Sequence, residues 1–184
     1  MKFKKYSELE GQHAFLSASQ YHWLRYTPEQ LTYRYKTALA KEQGTKLHEF
    51  ASNCISMGIK LEPCEKTLNL FVNDAIDAGM SSEVLLYYSP YCFGTTDAIA
   101  YEDNILSISD LKTGVTKASF NQLKIYAALF CLDYRIDPHD LTAIILKIYQ
   151  FDSVSTCEAD PDEIQGIMNT MIFFTGVLSE MEEG

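Results

Sequence analysis

Apolar positions in the first eighty residues recur at helical spacing. Residues 17–26 (SASQYHWLRY) read as a short helix with Ser17 or Ser19 as N-cap. Thr27-Pro28 restarts a helix, with proline at its first position. Residues 42–57 predict the next helix, with Leu47, Phe50, Ala51, Cys54 and Ile55 as its inward stripe and Gly58 as its stop. Residues 66–78 predict another, with Leu68, Phe71, Val72, Ala75 and Ile76 inward and Gly79 ending it. The period then drops to two. EVLLYYS (83–89), FGTTDAIAY (93–101) and NILSISDLK (104–112) read as strands, the last two a hairpin turning at Glu102–Asn104. Helical spacing returns over 118–134, with Phe120, Leu123, Ala127, Phe130 and Tyr134 on one face. LTAIILKIYQF (141–151) reads as a buried strand, and Asp160-Pro161 opens a last helix, 161–181. In that helix Ile164, Ile167, Met168, Met171, Ile172, Val177 and Leu178 demand a buried face. The order predicts a mixed α/β fold, a central mixed β-sheet flanked by helices. It is expected to form one domain over residues 1–184: helices over about 14–79, a core over 83–151 and the C-terminal helix.

Composition narrows the class. Hydrophobic residues make up 47% of the 184 and charged residues 22%, which excludes wholesale disorder. No run approaches the ~18 apolar residues of a membrane helix, and the basic start lacks the apolar stretch of a secretory signal. Five dispersed cysteines with no CxxC pair fit reduced thiols, and a cytoplasmic location is expected. The net charge of -10 is uneven: residues 1–66 carry +3, and eight acids with no Lys or Arg lie between Asp152 and Gly184. A nucleic-acid partner is neither excluded nor suggested by that balance.

The candidate chemistry lies in residues 94–126. Asp110 and Lys112 are two apart on a strand and project from one face. The hairpin brings Asp97 opposite Ser109 or Asp110, where like charges ~4.5–5.5 Å apart repel. A divalent cation such as Mg²⁺ or Mn²⁺ would relieve the repulsion; acids facing solvent on a sheet edge would avoid it. Gln122 and Tyr126 share one face of the following helix, as any half-exposed pair would. His48 lies beside an apolar stripe, the place of a ligand or of a hydrogen-bonded boundary histidine, while Glu49 points further toward solvent.

Together these segments resemble the PD-(D/E)xK nuclease superfamily, in its RecB-like phage and prophage exonuclease branch. The resemblance is carried by His48 in Gly44-Thr45-Lys46-Leu47-His48, Gly94-Thr95-Thr96-Asp97, Asp110-Leu111-Lys112 and Gln122-Leu123-Lys124-Ile125-Tyr126, and by the opening HAFLSASQYHWLRYTPE. It covers roughly residues 13–150. It implies a restriction-endonuclease-like core and a Mg²⁺- or Mn²⁺-dependent deoxyribonuclease. Asp97, Asp110 and the Leu111 carbonyl would hold a metal, His48 would hold or orient a second, Lys112 would position the attacking water, and Gln122 and Tyr126 would support Lys112 or touch phosphate. Lys36, Lys41, Lys46, Lys117 and Lys124 are candidates for phosphate contacts. The chain departs from the family where Thr27-Pro28 replaces a common Cys-Pro. Only Cys157 lies late in the chain, so no iron–sulfur cluster is expected.

No GxxxxGK[ST] motif occurs, so the chain carries no helicase or ATPase motif of that kind. With only three arginines and no added base-reading module, contact with DNA should be backbone-directed. The resemblance points to an exonuclease in phage recombination or DNA processing, inside the bacterial host if phage-encoded. Its partner would be a strand-annealing recombinase or a helicase, and a homo-oligomer could supply processivity; no membrane partner is expected. Two other readings stand beside it: a catalytically silent DNA-binding or complex-forming subunit on the same fold, and an acidic DNA-mimicking inhibitor.

Overall fold

The computed structural model describes residues 3–183. The chain forms two compact units, Gln43 closing the first and Gly44 opening the second. The first holds 3₁₀ turns at Ser7–Leu9 and Ala18–Arg25 and the start of helix α1 (Pro28–Met57). The helix expected over 17–26 is thus 3₁₀, interrupted at Gln20 (φ -108, ψ 42). Ser17 does not cap it, because its Oγ lies 3.2 Å from Ser19 Oγ instead. Helix α1 is nucleated by a reciprocal cap: the Gln30 amide donates to Thr27 Oγ1 (3.3 Å) and the Thr27 amide to Gln30 Oε1 (3.1 Å). The two helices expected over 28–57 are one helix of 30 residues, since nothing between Lys41 and Gln43 breaks it.

In the second unit, α1 ends in a Schellman motif. Gly58 takes φ +64, its amide donates to the Ile55 carbonyl, and Ile59 donates back to Cys54. Helix α2 (Thr67–Asp77) ends the same way at Gly79. Strands β1 (Ser81–Ser89), β2 (Cys92–Glu102), β3 (Ile105–Leu111), β4 (Ala143–Gln150) and β5 (Ser153–Glu158) form one mixed sheet in the order β1-β2-β3-β4-β5. Only the β3–β4 pair is parallel, joined by helix α3 (Asn121–Tyr134); helix α4 (Pro161–Glu183) follows β5. The fold is therefore mixed α/β, a five-stranded mixed sheet flanked by helices. Leu106, Ile108, Leu146 and Ile148 pack with Leu123, Ala127 and Leu129 of α3 and Ile164 of α4. Ala98, Leu111 and Tyr149 pack with Ala51, Cys54, Ile55, Phe71 and Val72 of α1 and α2.

Four expectations need correction. Strand β5 was not foreseen: its sequence, SVSTCE, is polar because it is an edge strand with mostly exposed side chains. Leu47 and Phe50 are exposed rather than part of the α1 stripe, whose buried members are Ala51, Cys54 and Ile55. Tyr134 is exposed at the end of α3. Only the first half of α4 is buried, through Ile164, Met168 and Met171, while Ile172, Val177 and Leu178 are exposed. The α3 face that covers α4 is only 14 residues long, too short for a helix of 23. No helix among the described residues is long and apolar enough to cross a membrane.

Of residues 180–184, Gly184 lies outside the described residues and the others lie beyond the buried part of α4, placing acids at a helix C-terminus, where negative charge is unfavourable. Deleting them should move Tm by less than ~2 °C in a thermal melt, whereas deleting all of α4 should expose Ile164 and its neighbours and aggregate the protein.

Candidate metal centre

The β2–β3 hairpin fixes the site's register. Asp103 and Asn104 both take positive φ (50 and 59), the two-residue turn that matches strand twist, and Glu102 pairs with Ile105. Ala98 then faces Ser109, so Asp97 stands beside Asp110, as the sequence predicts. On the other side, the pairs Ser82–Ala98 and Val84–Thr96 bracket Glu83 opposite Asp97. Glu83, Asp97 and Asp110 thus form one row across three strands. Glu83 takes φ +53, a left-handed conformation that is costly for a non-glycine residue. Sheet alternation slips at this point. Leu86 and its partner Gly94 face α3, whereas Ala98, four residues further, packs on α1 and α2.

Helix α1 brings His48 to this row. Its Nδ1 lies 3.2 Å from Asp97 Oδ1, and ligand atoms of His48, Glu83 and Asp97 all lie within 4.8 Å of one another. Two contacts hold α1 there. Gly44, one turn before His48, is so close to the strand end that a Cβ would meet Thr113 Oγ1 at 2.8 Å. Ser52 and Ser56 place their hydroxyls 3.0 and 3.1 Å from Ser82 Oγ, next to Glu83. Glu83 was missed by sequence reasoning. Only the folded register reveals it, since a residue opposite Asp97 on the preceding strand completes a carboxylate row.

Asp110 is buried and tied to a different set. Lys112 Nζ lies 3.0 Å from both carboxylate oxygens; it donates to Oδ1, while Oδ2 is off the hydrogen-bonding line and is left buried without a partner. Lys112 also donates to Gln122 Oε1 (2.8 Å), and Gln122 Nε2 donates to the Tyr126 hydroxyl (3.2 Å). Tyr126 in turn covers Gly94, where a Cβ would meet its Cε1 at 2.9 Å. All four sequence segments therefore converge on one place. Within it, the three-ligand cluster among the described residues is His48, Glu83 and Asp97, and Asp110 lies outside it. The Leu111 amide, rather than its carbonyl, is the group engaged with Asp97, donating to Oδ2 at 2.8 Å. Lys124, a candidate for phosphate contact, is held by both oxygens of Glu163 at 2.7 Å. Glu49 is exposed, as expected.

The electrostatics follow from the row. Burial, then the charge of Asp97, pushes the Asp110 carboxyl above the usual range. Glu83 is raised by the same two causes in the same order. His48 is raised, foremost by its hydrogen bond with Asp97, against the opposing effect of burial. A row of three carboxylates, a buried Asp110 Oδ2 with no hydrogen bond and an imidazole beside Asp97 make a hard-oxygen and nitrogen donor set whose nearest cation is the single Lys112 ammonium. A divalent cation fits that set.

A family model described as "Protein of unknown function (DUF2800)" matches residues 82–175, just over half of the chain, and includes all of these groups except His48. No curated protein and no solved structure matches.

Proposed function

The chain belongs to the DUF2800 family, and we propose that it is a metal-dependent hydrolase of DNA phosphodiester bonds. The observation that carries this reading is the Glu83–Asp97–Asp110 row with Lys112 beside it, held from below by Gln122 and Tyr126. Asp97, Asp110 and Leu111 would hold one Mg²⁺ or Mn²⁺, and His48, Glu83 and Asp97 another. Bound metal would neutralise developing oxyanion charge and lower the pKa of bound water. Lys112 is the cation the chain itself supplies. It balances Asp110 now, and its half-buried ammonium is a preorganised donor for a phosphate oxygen. Gln122 fixes that ammonium by accepting a hydrogen bond from it, and Tyr126 fixes Gln122. The acidic row repels a polyanion unless a cation is bound, so substrate engagement at this site should depend on metal.

The resemblance extends the proposal to a RecB-like exonuclease on a restriction-endonuclease-like core, working in phage recombination or DNA processing beside a recombinase or helicase. Incubating linear and covalently closed circular DNA, each single- and double-stranded, with Mg²⁺, Mn²⁺ or EDTA tests both levels. Loss of linear DNA with metal and none in EDTA is expected. Discrete bands from closed circles would overturn the exonuclease assignment, and intact DNA under every metal would overturn the hydrolase.

His48→Ala separates a ligand from a boundary residue. As a ligand, its loss should raise the Mn²⁺ concentration needed for half-maximal cleavage by about tenfold or more. A lowered melting temperature with an unmoved Mn²⁺ titration would return His48 to a structural role.

A further inference from the structure

A second site lies in the unit that Gln43 closes. A groove of about 920 Å³ opens there, lined by Phe15, Trp23, Arg25, Tyr26, Tyr33 and Arg34 among others, with no acidic side chain in its wall. Two of the chain's three arginines are in it. Neither guanidinium has an acidic partner among the described residues; Arg34 lies over the Tyr26 ring, 4.6 Å from its centre. Tyr33 is 74% exposed. Trp23 is anchored, its Nε1 donating to the Ser17 carbonyl at 2.9 Å. Residues 1–43 carry seven Lys and Arg against four acids, while the rest of the chain is strongly acidic. An exposed tyrosine face and partly exposed aromatic neighbours beside two arginines without a carboxylate partner suit a ligand that is planar and polyanionic at once.

We propose that this groove binds single-stranded nucleic acid, with bases stacking on Tyr33 and its aromatic neighbours and phosphates engaging Arg25 and Arg34. Stacking tolerates any base because each presents a π-face, and guanidinium groups serve phosphate and ring alike. A duplex keeps its bases stacked on each other and offers the groove only backbone. The inference rests on the nucleic-acid reading of the metal centre and adds to it the strand form that the protein holds.

Trp23, the lone tryptophan, supplies the probe. The full chain is titrated in EDTA with a twelve-nucleotide oligothymidylate, an oligouridylate and a duplex of equal length, and tryptophan fluorescence is followed. Saturable quenching by the single strands, with binding at least about tenfold weaker for the duplex, is expected. Arg25→Ala and Arg34→Ala should each weaken binding and lower the slope of log K against log salt by about 0.7, one phosphate contact on a single strand. Tyr33→Ala should weaken it about tenfold with the slope unchanged. These side chains are exposed, so the variants should fold, and a thermal melt checks it. Preference for thymidylate over uridylate, or the reverse, assigns DNA or RNA. Absence of quenching, equal binding of the duplex, or indifference to all three substitutions overturns the proposal. Binding in EDTA is independent of chemistry at Asp110. Binding without cleavage under any metal would therefore fault the hydrolase alone, and cleavage without binding would fault the groove alone.

Discussion

Asp110→Asn is expected to lower metal-dependent cleavage by at least about 10³-fold while raising the melting temperature of the metal-free protein by ~1–3 °C. Both effects have one cause. Asp110 is buried beside Asp97, with one oxygen that accepts no hydrogen bond, and burial and the Asp97 charge outweigh the Lys112 ammonium, so its charge costs free energy that a bound metal ion would repay. Removing it relieves like-charge repulsion of about 0.5–1 kcal/mol, and the replacing amide oxygen can still accept from Lys112. The pH dependence carries the same sign. Asp110, Glu83 and His48 all have folded-state pKa values above their ordinary ones, so at these three groups the folded protein binds more protons than the unfolded chain. The centre's contribution to metal-free stability should then fall as pH rises from about 4 through neutrality, against the opposite contribution of Glu29, Asp137 and Asp152, whose carboxyls are held below the usual range, and metal affinity should rise over the same span as protons leave the ligands. Asp110→Asn should gain stability relative to the wild type as pH rises over that span. Thermal melts across pH in EDTA, paired with cleavage assays in Mn²⁺, check both halves. Full activity in the variant would remove Asp110 from the centre, and a lower melting temperature would contradict the stored repulsion.

The parts of this centre differed in how legible they were. The Asp97–Asp110 pairing could be read because Glu102, Asp103 and Asn104 announce a tight turn, and turn length sets register. Lys112 and Asp110 followed from strand alternation. Gln122 and Tyr126 followed only from the order of segments, since their spacing alone describes any exposed helix face. Glu83 was hidden because the alternation it should obey breaks there: a left-handed residue inside a strand has no signature unless glycine occupies it. Strand β5 was hidden for a related reason. Its hairpin turns at Phe151 and Asp152, both at positive φ without glycine or asparagine, and its anchor is remote: Asp152 accepts from the Thr67 amide and Lys66. Hydrophobic pattern reports burial, so the exposed half of α4 and the exposed Leu47 and Phe50 read as core.

Gly94→Val should lower kcat for DNA cleavage about 10–100-fold with a smaller change in KM, although residue 94 bears no chemical group of its own. The glycine exists because Tyr126 lies on it: even a Cβ would come within 2.9 Å of the ring. A branched side chain must push the ring away, and overpacking of this kind costs about 1–3 kcal/mol. The displacement travels along a short chain of hydrogen bonds, from the Tyr126 hydroxyl to Gln122 and from Gln122 to Lys112. Lys112 then loses the partner that aims its ammonium and keeps only Asp110. Stability and activity can be separated with the double variant Gly94→Val, Tyr126→Ala. Removing the ring relieves the clash and should recover much of the melting temperature, but the Gln122 support is gone and kcat should stay low. Gln122→Ala, which touches no packing, should reproduce the kcat loss at wild-type stability. If Gly94→Val cleaves DNA at the wild-type rate, or if the double variant recovers kcat along with stability, Tyr126 is a packing residue and Lys112 is aimed by something else.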